Sequence, residues 1–394
     1  CRSPRGTTAP PHLAPRSTSR TLVAMLMSAR AAAPTAPSAD CPHHTTPSSA
    51  QHLSYADCAD CTDRPDHDDR ADRPDCSAST AQSVLTYCAD CVDRADRADQ
   101  GSWAREQALA PGITSFLDAG ASVATIDFLK EMETAGDLPI RLYVMVRGES
   151  NDDLAANLSA YRMETEENDF LSVRSIKRQV DGALGAHGAW LLAPYTDLPE
   201  THGVVLESVE DIEETARLAI EHGYQLNTHA IGDRANREIL DLYERVFRQA
   251  EVDGKSLRWR IEHAQHIDPV DVPRFGQLGV IAAFQGIHRA SDGPWIPSRL
   301  GDERTARTSY PWRDLIRSGA LLANGTDVPV EPIDAMASLY ATVSRRTSEG
   351  VLFFPEQALS REEALASYTI NNATAAFEEK VKGSVTPGKW ADLV

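Results

Sequence analysis

Four residues that can bind a metal follow short apolar segments of the kind that form β-strands. They are Lys177, His229, His263 and Asp327, and each stands at or just beyond the end of such a segment. In a parallel barrel the carboxyl ends of the strands meet at one face, where polar side chains serve function. Neutral imidazole and carboxylate oxygen are ligands that suit zinc. We therefore expect these four side chains to converge on one metal pocket.

Five further polar residues lie near these segments and are candidates for contact with a substrate or for support of a ligand. Gln285, His288 and Asp292 follow one strand, and Asp181 follows the segment of Lys177. His288 could donate a hydrogen bond to a substrate carbonyl or could be a loop histidine in solvent. Asp292 could line the site or cap a helix or turn. His266 lies three residues beyond His263 and is expected only to support a ligand from outside.

The segments that would position these residues form a repeated βα pattern, which predicts an α/β fold of the TIM-like (β/α)₈ barrel type. Seven strands are predicted, so the barrel is expected to be N-terminally incomplete by one strand, within a domain spanning residues 101–394. The seven strands are Ile113–Leu117, Ile140–Val146, Val173–Val180, Tyr224–Thr228, Leu257–Glu262, Val280–Phe284 and Ala320–Asn324.

Helical periodicity between the strands supplies the crossovers that parallel strands need. Ser360 to Glu363 has the sequence of a capping box and should open a last helix. Asp233 is predicted to cap the helix that follows it, rather than to take part in catalysis. The predicted crossover helices cover Ala121–Ala135, Val209–His222, Arg234–Gln249 and Trp312–Ser318.

Residues 1–100 differ from the rest and are predicted to be low-complexity and disordered. Residues 1–39 contain Arg but no Asp or Glu, which also fits an organelle transit peptide. Residues 54–100 are rich in Cys, Asp and Arg. Two CxxC pairs, Cys58/Cys61 and Cys88/Cys91, have the spacing of a zinc ribbon, so a zinc-binding module remains an alternative.

The charge balance excludes some classes of partner. The chain has 39 Lys and Arg against 58 Asp and Glu, a net charge of −19. Nucleic acid and anionic membranes would repel such a protein, so we expect a small-molecule partner. No apolar run approaches the roughly 20 residues of a membrane helix. A cytoplasmic location is the default expectation, and assembly into a homo-oligomer is left open.

Several motifs together resemble the amidohydrolase superfamily, in particular its amidohydrolase family 3, the YtcJ-like branch. They include Lys177-Arg-Gln-Val-Asp-Gly-Ala-Leu-Gly185, the segments around His229 and His263, Gln285-Gly-Ile-His288, and Gly325-Thr-Asp-Val-Pro-Val330. The resemblance implies a metal-dependent barrel hydrolase that acts on non-peptide C–N bonds of small amide, N-acyl or N-formyl compounds. It also implies that Lys177, when carboxylated, bridges two metals, that His229 and His263 are ligands, and that Asp327 is both a ligand and the catalytic base.

The sequence departs from that family at its N-terminal side. No His-x-His pair follows a first strand, and the small N-terminal β-sandwich is not recognisable. The family's pattern would then keep four of six ligands, so one bound zinc is expected more than two. A catalytically inactive hydrolase-like protein is the alternative that this departure leaves open.

Overall fold

The computed structural model describes residues 107–138, 140–164 and 170–393. Its centre is a seven-stranded, all-parallel sheet in which the strands follow one another in chain order. The strands are β1 (Ser115–Ala121), β2 (Arg141–Val146), β3 (Leu171–Gln179), β4 (Gln225–Ala230), β5 (Arg260–His263), β6 (Ile281–Gln285) and β7 (Leu322–Gly325). This is the incomplete TIM-like barrel that the sequence predicted, and the prediction is confirmed.

Helices connect the strands and cover the outside of the sheet. They are α1 (Val123–Ala135), α2 (Asn151–Tyr161), α3 (Val209–Glu221), α4 (Asp233–Ala250), α5 (Gly254–Leu257), α6 (Val272–Leu278), α7 (Gly286–Asp292), α8 (Ile296–Leu300), α9 (Asp302–Thr308), α10 (Trp312–Arg317), α11 (Ala335–Ser344), α12 (Arg361–Tyr368) and α13 (Ile370–Ala375). Short 3₁₀ turns cover Leu184–Ala186 and Pro355–Gln357. No helix among the described residues has the length and apolar character to cross a bilayer.

Local capping explains where several of these helices begin and end. The Ser360 side chain accepts the Glu363 N–H, and the Glu363 carboxylate accepts the Ser360 N–H, so the predicted capping box is present. Helix α1 ends at Gly136, whose φ of 74° is the left-handed conformation that glycine adopts without strain.

The predicted role of Asp233 as a cap requires correction. Gly232 is the N-cap of α4, and Asp233 is already the first helical residue. Its carboxylate accepts the backbone N–H of Leu192 at 2.8 Å as well as that of Arg234 at 3.0 Å. It therefore ties the start of α4 to the loop that follows β3.

The main core lies between the sheet and the helices, and an open seam lies between β1 and β7. Trp259, Tyr243 and Phe247 pack edge to face or stacked within that core. Each strand pairs with its sequence neighbours, so within the described chain the outer edges of β1 and β7 have no strand partner. A cavity of about 930 Å³ runs beside this seam along the height of the sheet.

Candidate active site

The register of the central strands sets polar side chains side by side inside the barrel. Lys177 of β3 pairs with Asn227 of β4, which pairs with Arg260 of β5. Paired residues in parallel strands face the same side, and Lys177 and Arg260 both line the cavity. Arg260 Nε donates to Asn227 Oδ1 at 3.1 Å, which holds the guanidinium within this row. The barrel interior is thus polar at this level.

One step closer to the carboxyl ends of the strands, which we call the mouth, lies a second polar row. His229 pairs with Glu262 across β4 and β5. Glu262 lines the cavity, and one of its carboxylate oxygens, Oε1, is buried and has no hydrogen-bond partner in the described part of the chain. The rings of His229 and His263 meet edge to face with centroids 4.4 Å apart. Both histidines are therefore at the mouth, one above each central strand.

Unusual backbone conformations turn two of the predicted ligands toward the cavity. His263 has a φ of 77° and Asp327 a φ of 58°, which are left-handed values uncommon for residues other than glycine. Strict alternation along β5 would place His263 on the face opposite to Glu262, because successive side chains point to opposite faces. The positive φ ends that alternation, and His263 and Glu262 both line the cavity. Such strain concentrates at functional sites.

Three side chains at the mouth form a compact set of metal-ligand type. His263, His288 and Asp327 each offer one ligand atom within 4.8 Å of the other two. His288 Nε2 lies 3.6 Å from Asp327 Oδ2. His263 Nδ1 donates to Gln285 Oε1 at 2.8 Å. Gln285 also lines the cavity, so it both orients a histidine and faces the space where a substrate would enter.

Asp181 is completely buried and holds the loops around His229. Its carboxylate accepts the backbone N–H groups of Trp190 at 2.9 Å, Ile231 at 3.0 Å and Gly232 at 2.8 Å. Asp181 Oδ1 also lies 3.4 Å from His229 Nε2. These contacts fix the segment after β4, whereas the cavity lining does not include Asp181. Its contact with the site passes through His229.

Burial shifts the acid–base properties of the mouth. Burial lowers the pKa of Lys177 to about 8, with the charge of Glu262 opposing that shift. It raises the pKa of Asp327 from 3.8 to about 7, against the opposing effect of Lys177. Burial also lowers the pKa of His288 to about 4, and it lowers the pKa values of His229 and His263 well below 6.5. The three imidazoles are therefore neutral at pH 7, the form in which histidine binds metals.

Asp292 and His266 belong to a buried network beside the site. Asp292 accepts hydrogen bonds from Gln265 Nε2 at 2.8 Å and from the Tyr310 hydroxyl at 2.9 Å, and it lies outside the cavity lining. His266 is fully buried, with its Nδ1 3.0 Å from Ser309 Oγ. Both residues pack the loop after β5 against the helices that follow β6.

Sequence reasoning missed three charged residues of the site, namely Arg260, Glu262 and Arg147. Arg147 follows β2 and donates to Gln179 Oε1 at 2.7 Å. Its charge acts on the pKa values of Lys177 and Asp327. A signal for the first two was present, because polar residues at positions 225, 227 and 229 and at 260 and 262 recur with the period of two that marks one face of a strand.

The predictions for residues 1–100, including the transit-like segment and both CxxC pairs, fall outside the described residues. The cysteines of those pairs therefore stay a sequence-based prediction.

The chain has relatives of known sequence and structure. It is 37% identical over 229 residues to Protein LONG AFTER FAR-RED 3 of Arabidopsis thaliana, covering 58% of this chain and 39% of that protein. It is 31% identical to the putative amidohydrolase YtcJ of Bacillus subtilis, covering 66% of this chain and 47% of that one. With the N-substituted formamide deformylase of Arthrobacter pascens it shares 27% identity, with 73% and 52% covered. The chain thus spans about half the length of these relatives or less.

A solved structure shares the fold. The crystal structure of an uncharacterized metal-dependent hydrolase from Pyrococcus furiosus is 29% identical, with a TM-score of 0.65, covering 79% of this chain and 63% of that one. The model of the amidohydrolase family matches residues 75–394. The resemblance to the YtcJ-like branch is thereby confirmed, and the chain belongs to the amidohydrolase family.

Proposed function

We propose that this chain is a metal-dependent hydrolase that cleaves the C–N bond of a small amide, N-acyl or N-formyl compound. The observation that carries the proposal is the convergence of Lys177, His263, Gln285 and Asp327 on one cavity at the mouth of the barrel. Enzymes of this architecture place their active sites at that face. A net charge of −19 favours a small molecule over nucleic acid or an anionic membrane as the partner.

The residues at the mouth fit a divalent cation. Imidazole and carboxylate are the donors that zinc prefers, and the buried Nε2 atoms of His229 and His288 have no hydrogen-bond partner among the described residues. In this proposal His229, His263 and Asp327 hold the metal, and Lys177 joins them once carboxylated. The lowered pKa of Lys177 supports that last step, because only the neutral amine reacts with carbon dioxide. A bound zinc would supply Lewis acidity toward water and the substrate carbonyl.

The chain's own residues would move the proton and orient the amide. The Asp327 carboxylate takes a proton from the attacking water, the water oxygen joins the carbonyl carbon, and the C–N bond breaks as Asp327 returns the proton to the leaving nitrogen. Gln285 fixes the ring of His263 from one side and faces the substrate from the other. Asp181 keeps the loop after His229 in place through three backbone hydrogen bonds.

The cavity favours an amide with an apolar substituent. Charged and polar groups line its mouth end, and Phe116, Leu339 and Leu365 contribute apolar surface along its length. The polar reacting group of such a substrate would contact the polar part of the cavity, and its apolar substituent would contact the apolar part. The formamide deformylase among the relatives acts, by its name, on N-substituted formamides, which have these two parts. We therefore place N-formyl and short N-acyl amines first among the substrates to test.

The test is a hydrolysis panel on the full chain with and without added Zn²⁺. The panel contains N-formyl and N-acetyl derivatives of one aromatic amine and an ester of the matching alcohol. We measure the rate at which amine or alcohol is released, and the N-formyl compound should be cleaved fastest. A strong chelator should abolish turnover, and Zn²⁺ should restore it. His263→Gln should lower turnover about 100-fold or more, because it removes a ligand.

His222→Gln is the matched control for that variant. His222 lies at the end of α3, where its Nδ1 contacts Ser159 at the surface, and its replacement should leave turnover unchanged. Turnover of no amide in the panel, with Zn²⁺ bound and the fold intact, would contradict the proposal. Equal turnover of His263→Gln and the wild type would contradict the assigned site.

A further inference from the structure

We infer that His288 is a direct metal ligand beside His263 and Asp327, in addition to the ligands named in the proposed function. The inference rests on the proposed metal dependence and deepens it, because it gives a ligand role to a residue that sequence reasoning placed against the substrate. Its basis is the geometry at the mouth, where each of these three side chains offers a ligand atom within 4.8 Å of the others.

The separation of His288 and Asp327 is suited to a zinc ion. Ligands at roughly 2.0–2.2 Å in a tetrahedral site lie about 3.3–3.6 Å from one another. His288 Nε2 and Asp327 Oδ2 are 3.6 Å apart, which is longer than a hydrogen bond and close to that edge length. The rings of His263 and His288 are nearly parallel, at 18°, with centroids 5.9 Å apart. The two rings are therefore neighbours, each with a ligand atom near Asp327.

One ring nitrogen of each histidine is available to a metal. His263 Nδ1 donates to Gln285, so the lone pair of that ring is on Nε2. The Nε2 atom of His288 is buried and makes no hydrogen bond among the described residues. An unpartnered buried imidazole nitrogen costs free energy unless something binds it. A metal ion between His288 and Asp327 would satisfy it.

The start of α7 is anchored so that His288 holds its position relative to Asp327. The N–H of Gly286 donates to Asn324 Oδ1 of β7 at 3.1 Å, which ties the first turn of α7 to the strand that leads into Asp327. A side chain at position 286 would collide with Ser338 and Thr342 of α11, so glycine permits this close approach. The His288–Asp327 spacing is therefore built into two anchored elements.

A direct contact of His288 with substrate fits the structure less well. The cavity lining includes His263, Gln285 and Asp327 but not His288. His288 is 8% exposed, and its Nε2 faces Asp327.

Zinc titration of the full chain by calorimetry tests the inference, with Zn²⁺ alone as the probe. His288→Ala should lower the affinity for Zn²⁺ about tenfold or more, and His288→Gln should lower it as well. His222→Ala should bind Zn²⁺ as the wild type does. Circular dichroism establishes that each variant is folded.

A second measurement uses the wild type and so does not depend on the folding of a variant. Cu²⁺ with ascorbate oxidises histidines that bind the metal, and peptide mass spectrometry should find the added oxygen on His263 and His288 but not on His222. Unchanged Zn²⁺ affinity in folded His288→Ala, or oxidation of His263 without His288, would overturn the inference. Because both readouts need no substrate, failure of the hydrolysis panel with normal zinc binding would overturn the proposed reaction alone.

Discussion

The two ends of the barrel differ in whether their charged and metal-binding side chains have partners. At the mouth, Lys177 and Glu262 are buried, and Glu262 Oε1 and the Nε2 atoms of His229 and His288 have no hydrogen-bond partner among the described residues. At the other end of the strands, which we call the base, charges are paired with opposite charges. Arg258 donates two hydrogen bonds to the Glu379 carboxylate, at 2.8 and 2.9 Å.

Further contacts at the base join the first strands to the C-terminal segment. Arg141, the first residue of β2, donates from Nε to Asp392 at 2.7 Å and stacks on the rings of Phe170 and Trp390. Lys382 donates to Ser115 at the start of β1 at 2.9 Å. The base is therefore arranged for stability, whereas the mouth holds groups whose burial costs stability and serves chemistry.

The largest expected effect is at the mouth. Asp327→Asn should lower hydrolysis about 100-fold or more, because it removes the proton acceptor. The folded state raises the pKa of Asp327 from 3.8 to about 7, so the metal-free wild type should lose stability as pH rises through that window. The variant should therefore unfold at a higher Tm than the wild type at pH 8, as measured by calorimetry without metal. A lower Tm of the variant would contradict the conclusion that burial of the Asp327 carboxylate at the mouth costs stability.

Asp181→Asn tests the support beneath the mouth. An amide nitrogen would face at least one of the backbone N–H groups that the carboxylate now accepts, so we expect a loss of about 2 kcal/mol in the free energy of unfolding. Hydrolysis should fall about 10-fold as His229 loses its orientation. Urea unfolding and turnover measure the two effects. Asp137→Asn, at an exposed carboxylate after α1, is the control and should change neither.

Arg258→Ala tests the base. The variant loses the bidentate pair with Glu379, the bond to the Thr374 carbonyl at 2.6 Å and the stacking on Phe377. The pair is about a quarter exposed, so we expect a loss of only about 1 kcal/mol. Zinc affinity and turnover should stay at the wild-type values. A loss of zinc affinity in a folded variant would show that the two ends are not independent.

The smallest effect is a pH dependence at the base with the opposite sign to that of Asp327. The hydrogen bond from Arg258 lowers the pKa of Glu379 below 4.5. Its contribution to stability is therefore present above pH 4.5 and is lost as the pH falls below that value. In urea titrations between pH 3 and pH 6, the free energy of unfolding of Arg258→Ala should fall less toward acid pH than that of the wild type. An unchanged decline would mean that other carboxylates cause it.

The strands and their terminal residues were predictable because apolar segments and turn residues alternate clearly from Ile113 onward. The seven strands were found with shifts of a few residues, and Lys177, His263 and Asp327 were placed on one face from their position alone. The period-two spacing of Arg260 and Glu262 indicates one strand face, but it does not identify that face as the barrel interior, because barrel interiors are mostly apolar.

Other features depend on tertiary contacts that the sequence does not display. Helix α2 and the short helices between β6 and β7 have too few turns for a clear hydrophobic period. The left-handed backbone at His263 reverses the face of a side chain without any glycine to announce it. The role of Asp181 depends on backbone N–H groups from Trp190 and Gly232, which come together only after folding.

The ion pair between Arg141 and Asp392 also bears on how the protein folds during synthesis. Its two residues are separated by 251 positions, so a ribosome finishes β2 long before the partner of Arg141 exists. Until then the β1 and β2 edge of the sheet lacks this contact at the base, while β3 to β6 can already pair with their neighbours. Because long-range contacts form after the local ones that precede them in synthesis, the seam side would be the last part of the barrel to consolidate and the part most exposed to chaperones and proteases during translation.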